Sequence, residues 1–248
     1  MKIKNILISQ PAPNGCSPYE EIKEKYGLNV DFIPFIRVQG LSAKDFRAQR
    51  INLTEHTAVV FTSRSAIDTF FTLSEELRVT IPDSMKYFCS TEAVALYLQK
   101  YIVYRKRKIF FGKGNIPSLI EAVGSKHKNE KFLLTLADCY NPDLPKAFEN
   151  AGLTFTKAIL TRTLNEDLSG VDLKKYQMLI FYTPADVRSL LDNFPEFKQN
   201  ATLFGTFGKA TAAALKEAKL EPCFQAPTPE APSIAQALTL YLEKEKQS

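Results

Sequence analysis

Short hydroxyl side chains, glycine and an occasional cation gather where apolar stretches of this sequence give way to helical ones. The junctions are Ser9-Gln10-Pro11, Thr62-Ser63-Arg64-Ser65, Ser90-Thr91-Glu92 and, later in the chain, Tyr182-Thr183-Pro184 with Phe207-Gly208-Lys209-Ala210-Thr211. At such a junction a strand ends and the first turn of a helix presents N–H groups without partners, together with the positive end of the helix dipole. The chemistry that follows is the binding of anions, carboxylates above all, through backbone amides, hydroxyls and a cation. The candidate ligand contacts are Gln10, Thr62, Ser63, Arg64, Ser90, Thr91, Tyr182, Thr183, Pro184, Gly208 and Lys209. Each has an alternative. Ser and Thr at these places serve equally well as N-caps of their own helices, and Arg64 and Lys209 as solvated side chains; it is the collection that points to an acidic ligand.

Other chemistries find little support. Phe111-Gly112-Lys113-Gly114-Asn115 lacks the GxxxxGK[ST] pattern of a phosphate loop, and no GxGxxG follows the first strand. There is no GxSxG elbow, and neither histidine, His56 nor His127, falls in a strand-end loop. Cys16, Cys89, Cys139 and Cys223 stand far apart, so no zinc spacing forms and free, mostly buried thiols are expected. Neither metal nor cofactor is expected. The net charge of +5 suits an acidic ligand. The run Arg105-Lys106-Arg107-Lys108 comes without a nucleic-acid motif and reads as a solvated edge, so no nucleic acid partner is expected. No apolar run reaches the roughly 18 residues of a membrane span, and Met1-Lys2-Ile3-Lys4 opens a strand, not a signal peptide; a cytoplasmic protein without a membrane partner is expected.

The elements that must hold these junctions are legible as runs. Residues 5–9, 58–62, 87–90, 109–112, 132–136, 178–182, 202–207 and 223–226 are short, continuously apolar and separated by helical stretches, the mark of strands covered on both faces. Thr183-Pro184, Asn141-Pro142 and Thr228-Pro229 each place a capping residue before a proline at a helix start. Gly27 and Gly152 close helices in the left-handed conformation, each followed by leucine and a strand.

Those two glycines belong to an internal repeat. Residues 59–67 match 179–187 at an offset of 120, residues 89–96 match 208–215 at 119, and Gly27 matches Gly152 at 125. The expected fold class is therefore α/β: two similar domains with parallel sheets flanked by helices, flavodoxin-like, joined by a two-stranded antiparallel β linker. Residues 1–34 with 165–248 would form the first, discontinuous domain, residues 39–157 the second, inserted one, and residues 30–38 and 156–164 the linker strands.

Val60-Phe61-Thr62-Ser63 before an Ala-containing helix, Phe181-Tyr182-Thr183-Pro184, Phe207-Gly208-Lys209-Ala210-Thr211-Ala212-Ala213-Ala214-Leu215, and Ala226-Pro227-Thr228-Pro229 before the last helix occur in one order and spacing. In that order and spacing the chain resembles the uroporphyrinogen-III synthases over essentially its whole length. The resemblance implies a cofactor-independent hydro-lyase of tetrapyrrole (haem) biosynthesis, monomeric, that cyclises hydroxymethylbilane with inversion of the last ring and loss of water. It implies a polycarboxylate tetrapyrrole substrate and leaves open a transient contact with hydroxymethylbilane synthase. Thr211 matches the family's important threonine and is the expected catalytic residue, hydrogen-bonding the departing hydroxyl. Departures are Cys89 and Glu92, where the copy commonly carries glycine and threonine, and Thr161, where many members carry a tyrosine. Those departures keep open a catalytically degenerate member of the family. A two-lobed small-molecule binder is the rival of another class.

Overall fold

The continuous apolar runs form strands, and the hydroxyl-rich junctions lie at their carboxyl ends. The computed structural model describes residues 3–13, 15 and 17–247; Met1, Lys2 and Cys16 lie outside the described residues. The chain opens with β1 (Asn5–Ile8), α1 (Pro18–Tyr26), β2 (Asn29–Phe32) and β3 (Ile36–Gly40). It continues through α2 (Ala43–Arg47), β4 (Ala58–Phe61), α3 (Arg64–Glu76), β5 (Lys86–Cys89), α4 (Glu92–Tyr97) and β6 (Ile109–Phe111). Then come α5 (Ile116–Val123), β7 (Lys131–Ala137), α6 (Asp143–Asn150) and β8 (Thr154–Asn165). The last part is β9 (Met178–Phe181), α7 (Pro184–Asn193), β10 (Leu203–Phe207), α8 (Lys209–Glu217), β11 (Pro222–Ala226) and α9 (Ile234–Gln247). Among these helices none is long and apolar enough to cross a membrane.

Two compact units result: the first runs through Arg37 and resumes at Leu164, and the second is Val38–Thr163. The first unit holds the parallel sheet β11-β10-β9-β1-β2. The second holds β3-β8-β7-β4-β5-β6, parallel from β8 to β6. Alternate residues of each central strand go to opposite helical layers. In the second unit Val59 and Phe61 pack on one side, Ala58 and Val60 on the other. In the first, Leu179 and Phe181 face one layer, Met178 and Ile180 the other. Burial on both faces is why these strands read as unbroken apolar runs instead of alternating ones.

The two sheets share one register. Ile6 opposite Met178 in the first recurs as Phe132 opposite Ala58 in the second, and Asn5 opposite Asn29 recurs as Lys131 opposite Thr154. Thus β7, β8, β4, β5 and β6 take the places of β1, β2, β9, β10 and β11. The repeat is tandem along the chain, but each unit takes its opening strand pair from one copy and its closing trio from the other. The same register corrects the sequence match of residues 89–96 with 208–215. Cys89 lies opposite Phe61 and Thr206 opposite Phe181, so Gly208 is the counterpart of Thr91, not of Cys89, and Thr211 that of Val94. The run of small helical residues aligned the copies two positions out of phase.

Three further expectations change. Residues 30–38 are not one linker strand: Val30 is buried in β2, paired parallel with β1, and β3 starts only after Pro34, which has no N–H for a ladder. β3 then lies beside β8, the Leu41 N–H bonding Leu160 O while the Glu166 N–H bonds Phe35 O, an antiparallel match; the early part of β8 belongs to the parallel sheet. Thr228-Pro229 opens a turn, with Thr228 Oγ1 accepting the Ala231 N–H, and α9 is capped instead by Ser233, whose Oγ accepts the Gln236 N–H at 3.2 Å. Of the thiols, Cys89 is buried, Cys223 half-buried and Cys139 exposed; desolvation pushes Cys89 up to about 12, so it stays protonated.

Gly27 (φ 64°) and Gly152 (φ 66°) do end α1 and α6 in the left-handed region, where the Leu28 N–H reaches Lys23 O and the Leu153 N–H reaches Phe148 O. These matched turns make Tyr19 of α1 the counterpart of Leu144 of α6.

Candidate functional site

In the first unit, the β9–α7 junction supplies its own anion. Thr183 Oγ1 accepts the Asp186 N–H at 3.3 Å, while Asp186 Oδ2 accepts the N–H groups of Thr183 at 2.8 Å and Tyr182 at 3.1 Å. This is a capping box with Pro184 in the first helical turn. Burial pushes the Asp186 carboxyl upward, against the pull of those donors. The Tyr182 hydroxyl meets that of Tyr19 at 2.7 Å, and its ring stacks on Phe207 with centroids 5.7 Å apart. Burial raises both phenols above the ordinary tyrosine value.

One strand further along, the β10–α8 junction is built differently. Gly208 takes the N-cap position at φ 83°, ψ 148°, and no side chain caps the helix. Among the described residues nothing accepts from the N–H groups of Lys209, Ala210 and Thr211. Lys209 is exposed and forms no salt bridge among the described residues. A lysine at a helix N-terminus opposes the dipole unless an anion lies beside it. Thr211 is only 1% exposed and donates its hydroxyl hydrogen to Tyr182 O at 3.1 Å. Its side chain therefore ties the two junctions together, and it has only acceptor capacity left for another group. Gln10 is half-buried just past β1.

In the second unit a side-chain oxygen accepts at each start of α3, α4 and α5, and at α6 from the residue before its Pro142 N-cap. Ser63 Oγ accepts the Ala66 N–H at 3.2 Å, Thr91 Oγ1 the Val94 N–H at 3.2 Å, Asn115 Oδ1 the Ser118 N–H at 2.9 Å and Asn141 Oδ1 the Asp143 N–H at 2.9 Å. Ser90 Oγ donates to Thr62 O at 3.2 Å, and the Arg64 guanidinium lies over the Tyr97 ring, 5.4 Å from its centroid. What is missing is the carboxylate: the counterpart of Asp186 is Ala66. The N–H groups of Thr62 and Ser63, matching those of Tyr182 and Thr183, find no acceptor among the described residues. Beside Thr62 opens a cavity of about 350 Å³ that reaches Ser90, Asn115 and Tyr140.

The structure thus brings Tyr182, Thr183, Pro184, Gly208, Lys209 and Thr211 to neighbouring strand ends of the first unit. It brings Thr62, Ser63, Arg64, Ser90 and Thr91 to neighbouring strand ends of the second. Sequence reasoning missed Asp186, Tyr19 and Tyr140. The spacing Thr183-Pro184-Ala185-Asp186 is itself a capping-box signal and could have revealed the first; the other two lie on elements whose approach only the fold sets.

Comparison with known proteins comes down on one family. The family model described as uroporphyrinogen-III synthase HemD matches residues 17–236. Among solved structures, the uroporphyrinogen-III synthetase of Helicobacter pylori is similar at 17% identity and TM-score 0.60, with 98% of this chain and all of that one covered. A mutant uroporphyrinogen III synthase of the extremely thermophilic bacterium Thermus thermophilus is similar at 15% identity and TM-score 0.54, covering 99% of this chain and 100% of the other. Both likenesses are of fold. No curated protein matches the chain.

Proposed function

We propose a mode of action from the premise that this chain belongs to the uroporphyrinogen-III synthase family, lyases of tetrapyrrole synthesis. The substrate of that reaction, hydroxymethylbilane, is a flexible polyanion whose pyrrole rings carry acetate and propionate groups. Loss of its terminal hydroxyl, which leaves as water once protonated, gives an azafulvene cation. The substituted carbon of the last ring attacks it, the spiro intermediate fragments, and the ring recloses inverted with loss of a proton. The substrate ionises readily, so what the protein must supply is position: which carbon meets the cation.

The single observation that carries this reading is the set of backbone N–H groups without acceptors, at Thr62 and Ser63 in one unit and at Lys209 to Thr211 in the other. At the β9–α7 junction Asp186 displays how a carboxylate occupies such a pair of N–H groups. Substrate carboxylates take the corresponding open places, with Lys209 adding charge. Gln10 just past β1 and Thr91 just past β5 offer further donors in their own units, while Ser90, whose hydroxyl hydrogen goes to Thr62 O, keeps only acceptor capacity. Arg64, its guanidinium held over Tyr97, contributes a cation from the first turn of α3. Thr211 acts as a positioning residue: by bonding Tyr182 O it fixes the first turn of α8 relative to the β9 end. Its acceptor lone pairs remain the only part of the hydroxyl open to the departing group.

The test supplies freshly generated hydroxymethylbilane with and without the protein, oxidises the products and separates type III from type I uroporphyrin. Excess type III is the expected result. Type I alone, as without protein, would sink the reading and leave a two-lobed binder or a degenerate family member.

A further inference from the structure

The cavity of the second unit has a filled counterpart in the first. By strand register Thr62 corresponds to Tyr182 and Ser90 to Phe207, and by the matched glycine turns Leu144 corresponds to Tyr19. All three small or aliphatic residues line the open cavity. All three of their counterparts are aromatic and touch one another as a chain: the Tyr19 hydroxyl on that of Tyr182, and the Tyr182 ring stacked on Phe207 at 27°. The first unit fills with its own rings the place that the second leaves open.

We propose that this cavity, about 350 Å³, seats a single pyrrole ring of the tetrapyrrole. The inference rests on the function proposed above and assigns one ring to one place. The floor, Leu119, Leu136 and Leu144, is apolar and suits a flat face, while Thr62, Ser90 and Tyr140 put polar groups around the mouth. The ring's carboxylate arm then lies beside the open N–H groups of Thr62 and Ser63. The duplicated partner unit displays both halves of that ligand in covalent form, an aromatic cluster at Tyr182 and a carboxylate at Asp186. An aromatic acid is thus the chemistry that the empty copy lacks.

Two variants transplant the plug: Ser90→Phe and Thr62→Tyr, the latter at an exposed position where folding is least at risk. The probe is a monopyrrole carrying one acetate and one propionate, titrated while the methyl resonances of Leu119 and Leu144 are followed. Saturable shifts of those methyls in the wild type, lost in both variants at unchanged melting temperature, are expected. With hydroxymethylbilane, kcat/KM should fall about tenfold or more in each variant, chiefly through KM. Shifts that persist in both folded variants, or no methyl shift in the wild type, would overturn the assignment. Failure of the broader reading looks different: the wild type would make only type I product, whatever the monopyrrole does.

Discussion

The two units spend the same strand ends in opposite ways. At the β9–α7 junction the first unit satisfies two backbone N–H groups with Asp186 and packs three aromatic rings beside them, and it then leaves α8 without a cap. The second caps α4 with Thr91 and puts Glu92 in its first turn, where the dipole favours an acid, but has Ala66 for Asp186 and a cavity for the rings. A duplicated scaffold can therefore be read by difference. Where one copy supplies a group from its own chain and the other does not, the missing group describes what comes from outside.

The most damaging substitution should be the one that erases this difference. Ala66→Asp gives the second unit the carboxylate of the first, which would take the Thr62 and Ser63 N–H groups and repel an incoming acid. A loss of about a hundredfold in kcat/KM is expected, the range for removing donors that meet developing or bound negative charge. Stability should hold or rise by about 1 kcal/mol through better capping. Steady-state kinetics beside urea unfolding checks both, and full activity with a stabilised fold would show that those amides bind no substrate.

The reciprocal change, Asp186→Ala, leaves two amides unpaired in the first unit. It should lower unfolding free energy by about 1–2 kcal/mol, read from urea denaturation. A near-neutral result would mean that water replaces the carboxylate and that the first unit's junction is not closed at all.

Thr211→Val puts into α8 the residue its counterpart has in α4, Val94. Shape is nearly kept and one buried hydrogen bond, to Tyr182 O, is lost. About 1 kcal/mol of stability is expected to go with it, together with a fall in kcat/KM larger than the fall in binding of the oxidised product. Thr211→Ser, which retains the hydroxyl, should restore most of that loss. Equal kinetics in Val and wild type would confine Thr211 to packing.

The scaffold that carries this contrast was visible in the sequence, and the contrast itself was hidden for physical reasons. Strands buried on both faces are continuous apolar runs, so β4, β5, β9 and β10 declare themselves, and Thr183-Pro184 marks a helix start by local chemistry alone. The pairing of Thr91 with Gly208 was misplaced by two residues because helical alanines match in any phase, whereas sheet register admits only one. The cavity was invisible since its walls come from several elements, and a serine at position 90 means a cap, a solvated side chain or a gap according to what stands across from it. The open amides at Thr62 and Ser63 were hidden for a similar reason. An N–H group is present at every residue but proline, and only the fold tells which of them are left without an acceptor.

The smallest expected effect separates the units by pH. Asp186 in the first is pushed up by burial. Asp68 in the second is also desolvated, but hydrogen bonds from Tyr101, Lys100 and Tyr97 outweigh this and hold its carboxyl below the ordinary aspartate value. The two therefore act on stability with opposite signs. The contribution of Asp68 is present above the unfolded-state pKa of about 4 and is lost as pH falls through its lower folded value. That of Asp186 is full below about 4 and fades as pH rises through its higher folded value. Asp68→Asn should accordingly flatten the acid limb of a stability profile, and Asp186→Asn should flatten the slope on the other side of pH 4. Carboxyl-carbon NMR titration of the folded protein gives the direct reading, Asp68 below and Asp186 above an unperturbed aspartate. If both titrated below it, the amide donors would outweigh burial at Asp186 and would hold its carboxylate the more firmly. An unshifted value would instead mark Asp186 as an ordinary surface acid, unfit as the first unit's internal stand-in for a bound carboxylate.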